Sequence, residues 1–420
     1  MTYNYFVPGN ILIPDKRQNM SRWSVIACDQ FTSEPEYWER VEKTVGSSPS
    51  TLRLMLPEAY LKTSGIDAYI GNINKTMSSY LSKGLFEELK SSFIYVERTL
   101  SGGGLRRGLL GLLDLEAYDY NKDSVSPIRA TEGMVPDRLP PRVRVRKDAP
   151  LEVPHIIVFI DDADRSVIEP LSADTSSLKR LYDFTLMESG GSVRGYQVDG
   201  ESADMVCASL KKLASPGIIE RKYGNNINPV IYAVGDGNHS LASAKMCWEM
   251  ISDTLSPEER LVHPARWTLV EIVNVHEESI IFEPINRVIF NTESGEFLKE
   301  AEDFFSRYGN GGHELTCITS VGSVKCYTDG LTIGQSISAC EEFIEGYAAK
   351  HGGKIDYIHG DDTTAQLGSR KGCAGVIMPR MKKSELFPSI IKSGAFPKKS
   401  FSIGPARDKR YYLECRRISL

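Results

Sequence analysis

Pro229-Val-Ile-Tyr-Ala-Val-Gly-Asp-Gly-Asn-His-Ser240, running on into Leu-Ala-Ser-Ala-Lys245, reads as a buried strand, a glycine-flanked acidic turn and the start of a helix. Val230 to Val234 is apolar and rich in β-branched and aromatic residues, the pattern of a buried strand. Gly235 and Gly237 relieve the steric limits on the turn. Leu241, Ala244 and Trp248 then recur at helical spacing. Asp236, Asn238 and His239 therefore fall at the open N-terminus of a helix, where free N–H groups and the helix dipole favour an anion. The same residues also suit a plain helix cap. The turn matches neither the phosphate-loop nor the dinucleotide fingerprint.

A second strand–acidic loop–helix unit lies near the N-terminus. Trp23 to Ala27 is a short apolar strand, Asp29 and Gln30 sit at the loop tip, and Ser33, Pro35 and Glu36 form a helix start. A plain cap and turn accounts for it. Phe93 to Leu100 and Leu109 to Leu115 read as a hairpin around Ser-Gly-Gly-Gly104. Asp174 to Leu186 and Glu201 to Ala214 are expected to be helical.

Arg129, Arg138, Arg142, Arg144 and Arg146 crowd into one segment. From Arg142 to Arg146 they alternate with valine, and strand period would put three guanidinium groups on one face. Such a row needs an anion. Glu132, Asp137 and Asp148 are internal candidates, and a phosphorylated ligand is the alternative, because arginine forks match phosphate oxygens. A charged edge strand is the plain reading. Near the C-terminus, Lys398, Lys399 and Ser400 sit in a Pro/Gly-bounded loop that is either a closing loop over a ligand or a solvated basic turn. Tyr357-Ile-His-Gly360 is a further loop carrying a histidine.

The chain has 420 residues, enough for two domains, and the expected boundary is near residue 255: residues 1–255 carry the arginine segment and the Gly-Asp-Gly turn, and residues 256–420 carry the lysine loop. A net charge of −5 and the lack of an evident helix-turn-helix argue against a nucleic-acid binder. No apolar run has membrane-spanning length, and the N-terminus lacks the basic and apolar pattern of a signal peptide. Eight scattered cysteines without a C-x-x-C pair read as reduced thiols of a cytoplasmic protein, and the histidine spacing offers no zinc site. Mixed strands, hairpins and helices indicate an α+β fold. Oligomeric state is not legible.

With these motifs assembled, the chain resembles the family known as domain of unknown function 1015. That family's Asp-Gly-His-His-Arg turn corresponds to Asp236-Gly-Asn-His-Ser240, its Pro-Pro-Lys-Ser-Thr segment to Phe396-Pro-Lys-Lys-Ser400, and its Tyr-x-His-Gly segment to Tyr357-Ile-His-Gly360. Its N-terminal Tyr-Asp-Val-Ile loop aligns loosely with Cys28-Asp-Gln-Phe31. The first histidine and the arginine of the signature are here Asn238 and Ser240. Pro284-Ile-Asn-Arg287 again has Asn for His, and Pro127-Ile-Arg-Ala-Thr-Glu132 replaces a Pro-His-Glu-x-Thr segment. The Asp-Gly-x-His turn is also similar, over about ten residues, to that of free serine kinases built on the ParB/sulfiredoxin-like nucleotide-binding fold. This resemblance implies such a core with insertions, followed by a C-terminal α/β domain.

The expected activity is phosphotransfer or phosphohydrolysis on a small hydroxylated metabolite, serine among the candidates. Asp236 would be general base or Mg²⁺ ligand, His239 a proton shuttle or phosphate donor, and Glu132 a second acid. Gly237, Asn238, Ser240, Arg129, Arg142, Arg144, Arg146, Lys398 and Lys399 would hold phosphate and substrate. ATP or ADP with magnesium is the expected cofactor. The alternative is a nucleotide-responsive regulatory protein without turnover.

Overall fold

Strand Tyr232–Asp236 runs through the middle of the molecule, and helix Asn238–Ser252 leaves its end. A computed structural model describes residues 4–61, 66–133 and 139–419. Asp137 and Arg138 lie outside these residues.

Among the described residues, Tyr232–Asp236 belongs to an eleven-stranded mixed sheet. Its order is Lys179–Thr185, Ser192–Val198, Phe86–Thr99, Leu105–Asp114, Trp267–Asn274, Ile157–Ile160, Tyr232–Asp236, Ile128–Ala130 and Tyr118–Asp119, with Gly9–Pro14 and Phe6–Val7 paired alongside. The first five strands form an antiparallel run. Trp267–Asn274 then lies parallel to Ile157–Ile160, and Tyr232–Asp236 lies antiparallel to Ile157–Ile160 and parallel to Ile128–Ala130. Full burial on both faces explains why Ile157–Ile160 is a continuous apolar run.

The second sheet is antiparallel, in the order Gly322–Thr328, His313–Thr319, Cys373–Ile377, Phe282–Phe290 and Lys354–His359, with Phe401–Ile403 on the near end of Phe282–Phe290. Helix Ile333–His351 contributes Ile337, Cys340, Ile344 and Tyr347 to the core of this layer. A helix is set here by a capping box, in which Thr332 and Gln335 satisfy each other's backbone N–H groups. The whole is α+β.

The larger sheet takes in Trp267–Asn274, beyond the boundary near residue 255 expected from sequence. The C-terminus also returns to it: Tyr411–Tyr412 pairs with Val25–Ile26, and Arg416–Arg417 pairs with Leu151–Glu152.

Three local expectations need correction. Residues 174–186 are not helical. A short helix, Glu169–Ala173, precedes strand Lys179–Thr185, whose register against Ser192–Val198 wins over the helical pattern. Trp23 ends the short helix Met20–Trp23, and the strand that follows is only Val25–Ile26. Arg142 to Arg146 is not an alternating strand but part of helix Leu139–Arg146. Pro140 and Pro141 stand in its first turn, where no intrahelical N–H is required, and arginine is a good helix former. Val143 turns inward and is buried together with Leu139.

Candidate active site

The site is built by chain pairing around the end of Tyr232–Asp236. Asp236 sits opposite Ile157, which brings the preceding His155 beside it. The pairing of Val25–Ile26 with Tyr411–Tyr412 brings in two more segments, one carrying Asp29 and the other Lys409 and Tyr412. The parallel pairing of Ile128–Ala130 with Tyr232–Asp236 adds the segment that carries Glu132.

Gly237 makes the turn in a left-handed conformation, φ 79°. A β-carbon there would also sit 3.1 Å from the Ile156 backbone, so the position needs glycine. No side chain caps the helix that follows. Asp236 Oδ1 accepts the Gly237 N–H at 3.0 Å, and its Oδ2 lies 3.5 Å from Lys409 Nζ. The first intrahelical bond is Leu241 N–H to the Gly237 carbonyl, so the N–H groups of Asn238 and Ser240 come before the helix's own bonding pattern begins. The capping role that sequence alone allowed for Asp236 and Asn238 is absent. Asn238 Oδ1 is buried without a hydrogen-bond partner. His239 is partly exposed, and its carbonyl accepts from Ser243 Oγ at 2.7 Å.

His155 is buried, 2% exposed. Its Nε2 lies 3.5 Å from Ser240 Oγ and 3.8 Å from Asp29 Oδ2. Its Nδ1 lies 2.8 Å from the Tyr412 hydroxyl. That hydroxyl oxygen already accepts the Cys28 N–H at 3.3 Å. The hydroxyl can donate to Nδ1, and the Asp29 carboxylate, which can only accept, faces Nε2, so both neighbours favour the imidazole proton on Nε2. Burial pushes the His155 pKa down, against Asp29 and Asp236, so the ring is a neutral Nε2–H donor. For Asp29, burial opposes ionisation, but His155, the Gln30 amide, Arg142 and Lys409 outweigh it and hold the carboxyl below its usual range.

Glu132 joins this constellation from the other side. Its carboxyl accepts the Ser400 N–H at 3.0 Å, the Lys399 N–H at 3.4 Å and the Phe401 N–H at 3.5 Å. Burial raises its pKa to about 7, against these N–H groups and Lys409. Glu132 thus ties the lysine loop to the main sheet. Lys399 adopts a positive φ of 58° and lays its Nζ 4.1 Å from the Tyr357 ring centre, while Lys398 is exposed. Arg287 lies on the same ring and pairs with Glu341, so the Tyr357 segment belongs to a structural stack.

The arginines separate. Arg129 is buried and donates to the carbonyls of Ser126 and Asn228, each at 2.7 Å, so it holds backbone rather than ligand. Arg144 is half exposed and pairs with Asp67 at 2.7 Å. Arg142 pairs with Glu58, and Arg146 with Glu152 at 2.7 Å. Arg142 and Arg146 line a cavity of about 120 Å³ together with His155, Ser240, Ser243 and Tyr412. Among the described residues, no three His, Cys, Asp or Glu side chains are grouped to hold a metal, and Asp236 is engaged by Lys409. No described helix is long and apolar enough to cross a membrane.

His155, Lys409 and Tyr412 were invisible from sequence. His155 follows Val153-Pro154 as a lone histidine before an apolar strand, and Lys409 is one cation in a mixed tail. Only pairing brings them to Asp236.

A family model described as a protein of unknown function (DUF1015) matches residues 11–381. No curated protein matches the chain. Among solved structures, the chain is similar to SbnI with C-terminal truncation from Staphylococcus aureus, at 10% identity and TM-score 0.36, over 70% of this chain and 82% of that one. It is similar to a conserved hypothetical protein from Pyrococcus furiosus, at 7% identity and TM-score 0.35, over 73% and 94% of the two chains. A free serine kinase in complex with AMP aligns at 8% identity and TM-score 0.36, over 72% and 90%.

Proposed function

The chain belongs to the DUF1015 family of proteins of unknown function, and on that premise we propose that it transfers or removes a phosphoryl group on a small hydroxylated metabolite at the start of helix Asn238–Ser252. The observation that supports this most is the uncapped helix start ringed by Asp236, Lys409, Asp29 and the Nε2 of His155. Phosphoryl transfer is mainly positioning and charge stabilisation, and these groups supply both. The first-turn N–H groups, with Ser240 and Asn238, cradle phosphate oxygens. Lys409 offsets their charge. His155, as a neutral donor, hydrogen-bonds an oxygen on which negative charge develops.

Asp236 takes the proton of the attacking hydroxyl. A new O–P bond forms to the acceptor as the O–P bond to the leaving group breaks, and Lys409 then stabilises the departing oxygen. A nucleotide, ATP or ADP, supplies or accepts the phosphoryl group when bound, with magnesium carried on its phosphates.

The test is incubation of the purified protein with nucleotide, Mg²⁺ and a pool of hydroxylated metabolites, followed by ³¹P NMR. A new phosphoester signal is the expected result. Shifted nucleotide signals with no new product point to a nucleotide-responsive regulator that binds without turnover. An unchanged spectrum overturns the phosphotransfer reading.

A further inference from the structure

The cavity beside Ser240 and His155 is two-faced. Its head end carries His155, Ser240 and Arg142. Its body is walled by Leu54, Met55, Leu56, Met77, Leu151 and Ile156, all buried. Apolar walls of this kind are better covered by hydrocarbon than by water. The carboxylates of Glu58 and Glu152 also reach the cavity, but each is already paired with an arginine, Arg142 and Arg146. A dry apolar cavity on the order of 150 Å³ accepts a benzene-sized guest. The volume of about 120 Å³ therefore suits one six-membered ring or a short alkyl chain.

A serine-like body fits poorly. Its ammonium and carboxylate would face leucine and methionine side chains and lose hydration without replacement. A hydrocarbon body gains from the same walls while its oxygen reaches the head end.

We propose that this cavity holds the hydrocarbon body of the ligand, so that the substrate is a small alkyl or aryl alcohol, or its phosphate monoester, rather than a polar amino acid. This rests on the phosphotransfer reading of the head end.

Calorimetric titration of the full chain with inorganic phosphate, O-phosphoserine, ethyl, butyl and hexyl phosphate, and phenyl phosphate tests it. Affinity should rise roughly threefold to fourfold per methylene from ethyl to butyl phosphate, the scale of one buried methylene, and level off once the cavity is full. Phenyl phosphate should bind at least about tenfold tighter than O-phosphoserine. Met77→Phe and, at a less buried wall position, Val153→Phe should each erase the hydrocarbon gain while inorganic phosphate binds as before. Two independent filling variants guard against one failing to fold. If inorganic phosphate and O-phosphoserine bind but the hydrocarbon adds nothing, the cavity inference alone falls. If no phosphate compound binds, the head-end reading falls and this inference with it.

Discussion

Lys409 Nζ stands 3.5 Å from Asp236 Oδ2, although the whole second sheet lies between the two residues in sequence. The pair forms because the C-terminal segment returns to pair with Val25–Ile26. Lys409 also lies close enough to act on Asp29 and Glu132, so one cation serves three acids.

Asp236→Asn should separate function from stability. Asp236 makes no capping bond, so little folding energy is at stake beyond its partly exposed pair with Lys409. The thermal midpoint should move by no more than a few degrees. Once a substrate is in hand, turnover should drop by roughly 10²–10⁴-fold, the scale of general acid–base catalysis. Normal turnover would show that Asp236 is not the base.

Tyr412→Phe should change the proton position on His155 with little change in shape. The hydroxyl that favours the imidazole proton on Nε2 would be gone, and Nδ1 would lose its hydrogen-bond donor. ¹⁵N-histidine NMR should report an Nε2–H tautomer for His155 in the parent and a mixture in the variant. His155→Gln should lower turnover by a comparable or larger factor. A parent spectrum showing Nδ1–H would reverse the role assigned to this ring, from donor to acceptor.

The arginines give a graded series. Arg144→Ala should alter stability by less than about 0.5 kcal/mol, because its pair with Asp67 is solvent-exposed. Arg129→Ala should cost about 1–3 kcal/mol, since it leaves the buried carbonyls of Ser126 and Asn228 without a donor. Neither change should affect phosphate binding. Arg142→Ala should weaken it, because Arg142 lines the cavity and acts on both Asp29 and His155. Chemical denaturation and phosphate titration on the same three variants check the order. Equal losses of binding across the series would mean that these arginines act as a diffuse positive field.

What was legible in the sequence was local. The strand–turn–helix at Tyr232–Ser240 carries its own signals: apolar β-branched residues, a glycine that must take positive φ, and helical spacing after it. The hairpin of Phe86–Thr99 with Leu105–Asp114 was equally readable from its glycine run. The Arg-Val alternation misled because two nearby prolines favour a helix start, while period-two patterning over five residues is also compatible with one buried valine per helical turn. Arg129 looked like a ligand because sequence cannot reveal that two backbone carbonyls lack other partners. His155, Lys409 and Tyr412 were hidden for a different reason. Their meaning lies in strand pairings of high sequence separation, which leave no trace in neighbouring residues.

Glu132 yields a pH prediction of definite sign. Burial sets its folded pKa at about 7, above the ordinary carboxyl value of roughly 4.3 in an unfolded chain. Between those values the folded protein binds more protons than the unfolded one, so this group makes stability fall as pH rises from about 4.5 to about 7. His155 works in the opposite sense. Its folded pKa is depressed, so its contribution is present above about pH 6.5 and is lost as pH falls below it. The parent profile sums both slopes, and Glu132→Gln isolates one. Glutamine keeps an oxygen to accept the Ser400 N–H, so the loop stays tied at every pH. Urea midpoints measured at about pH 5, 6 and 7.5 should therefore show the variant gaining on the parent as pH rises. The variant should retain the His155 slope, with stability lost on acidification. Parallel profiles would mean that Glu132 ionises normally, solvated well enough for its N–H partners and Lys409 to offset burial.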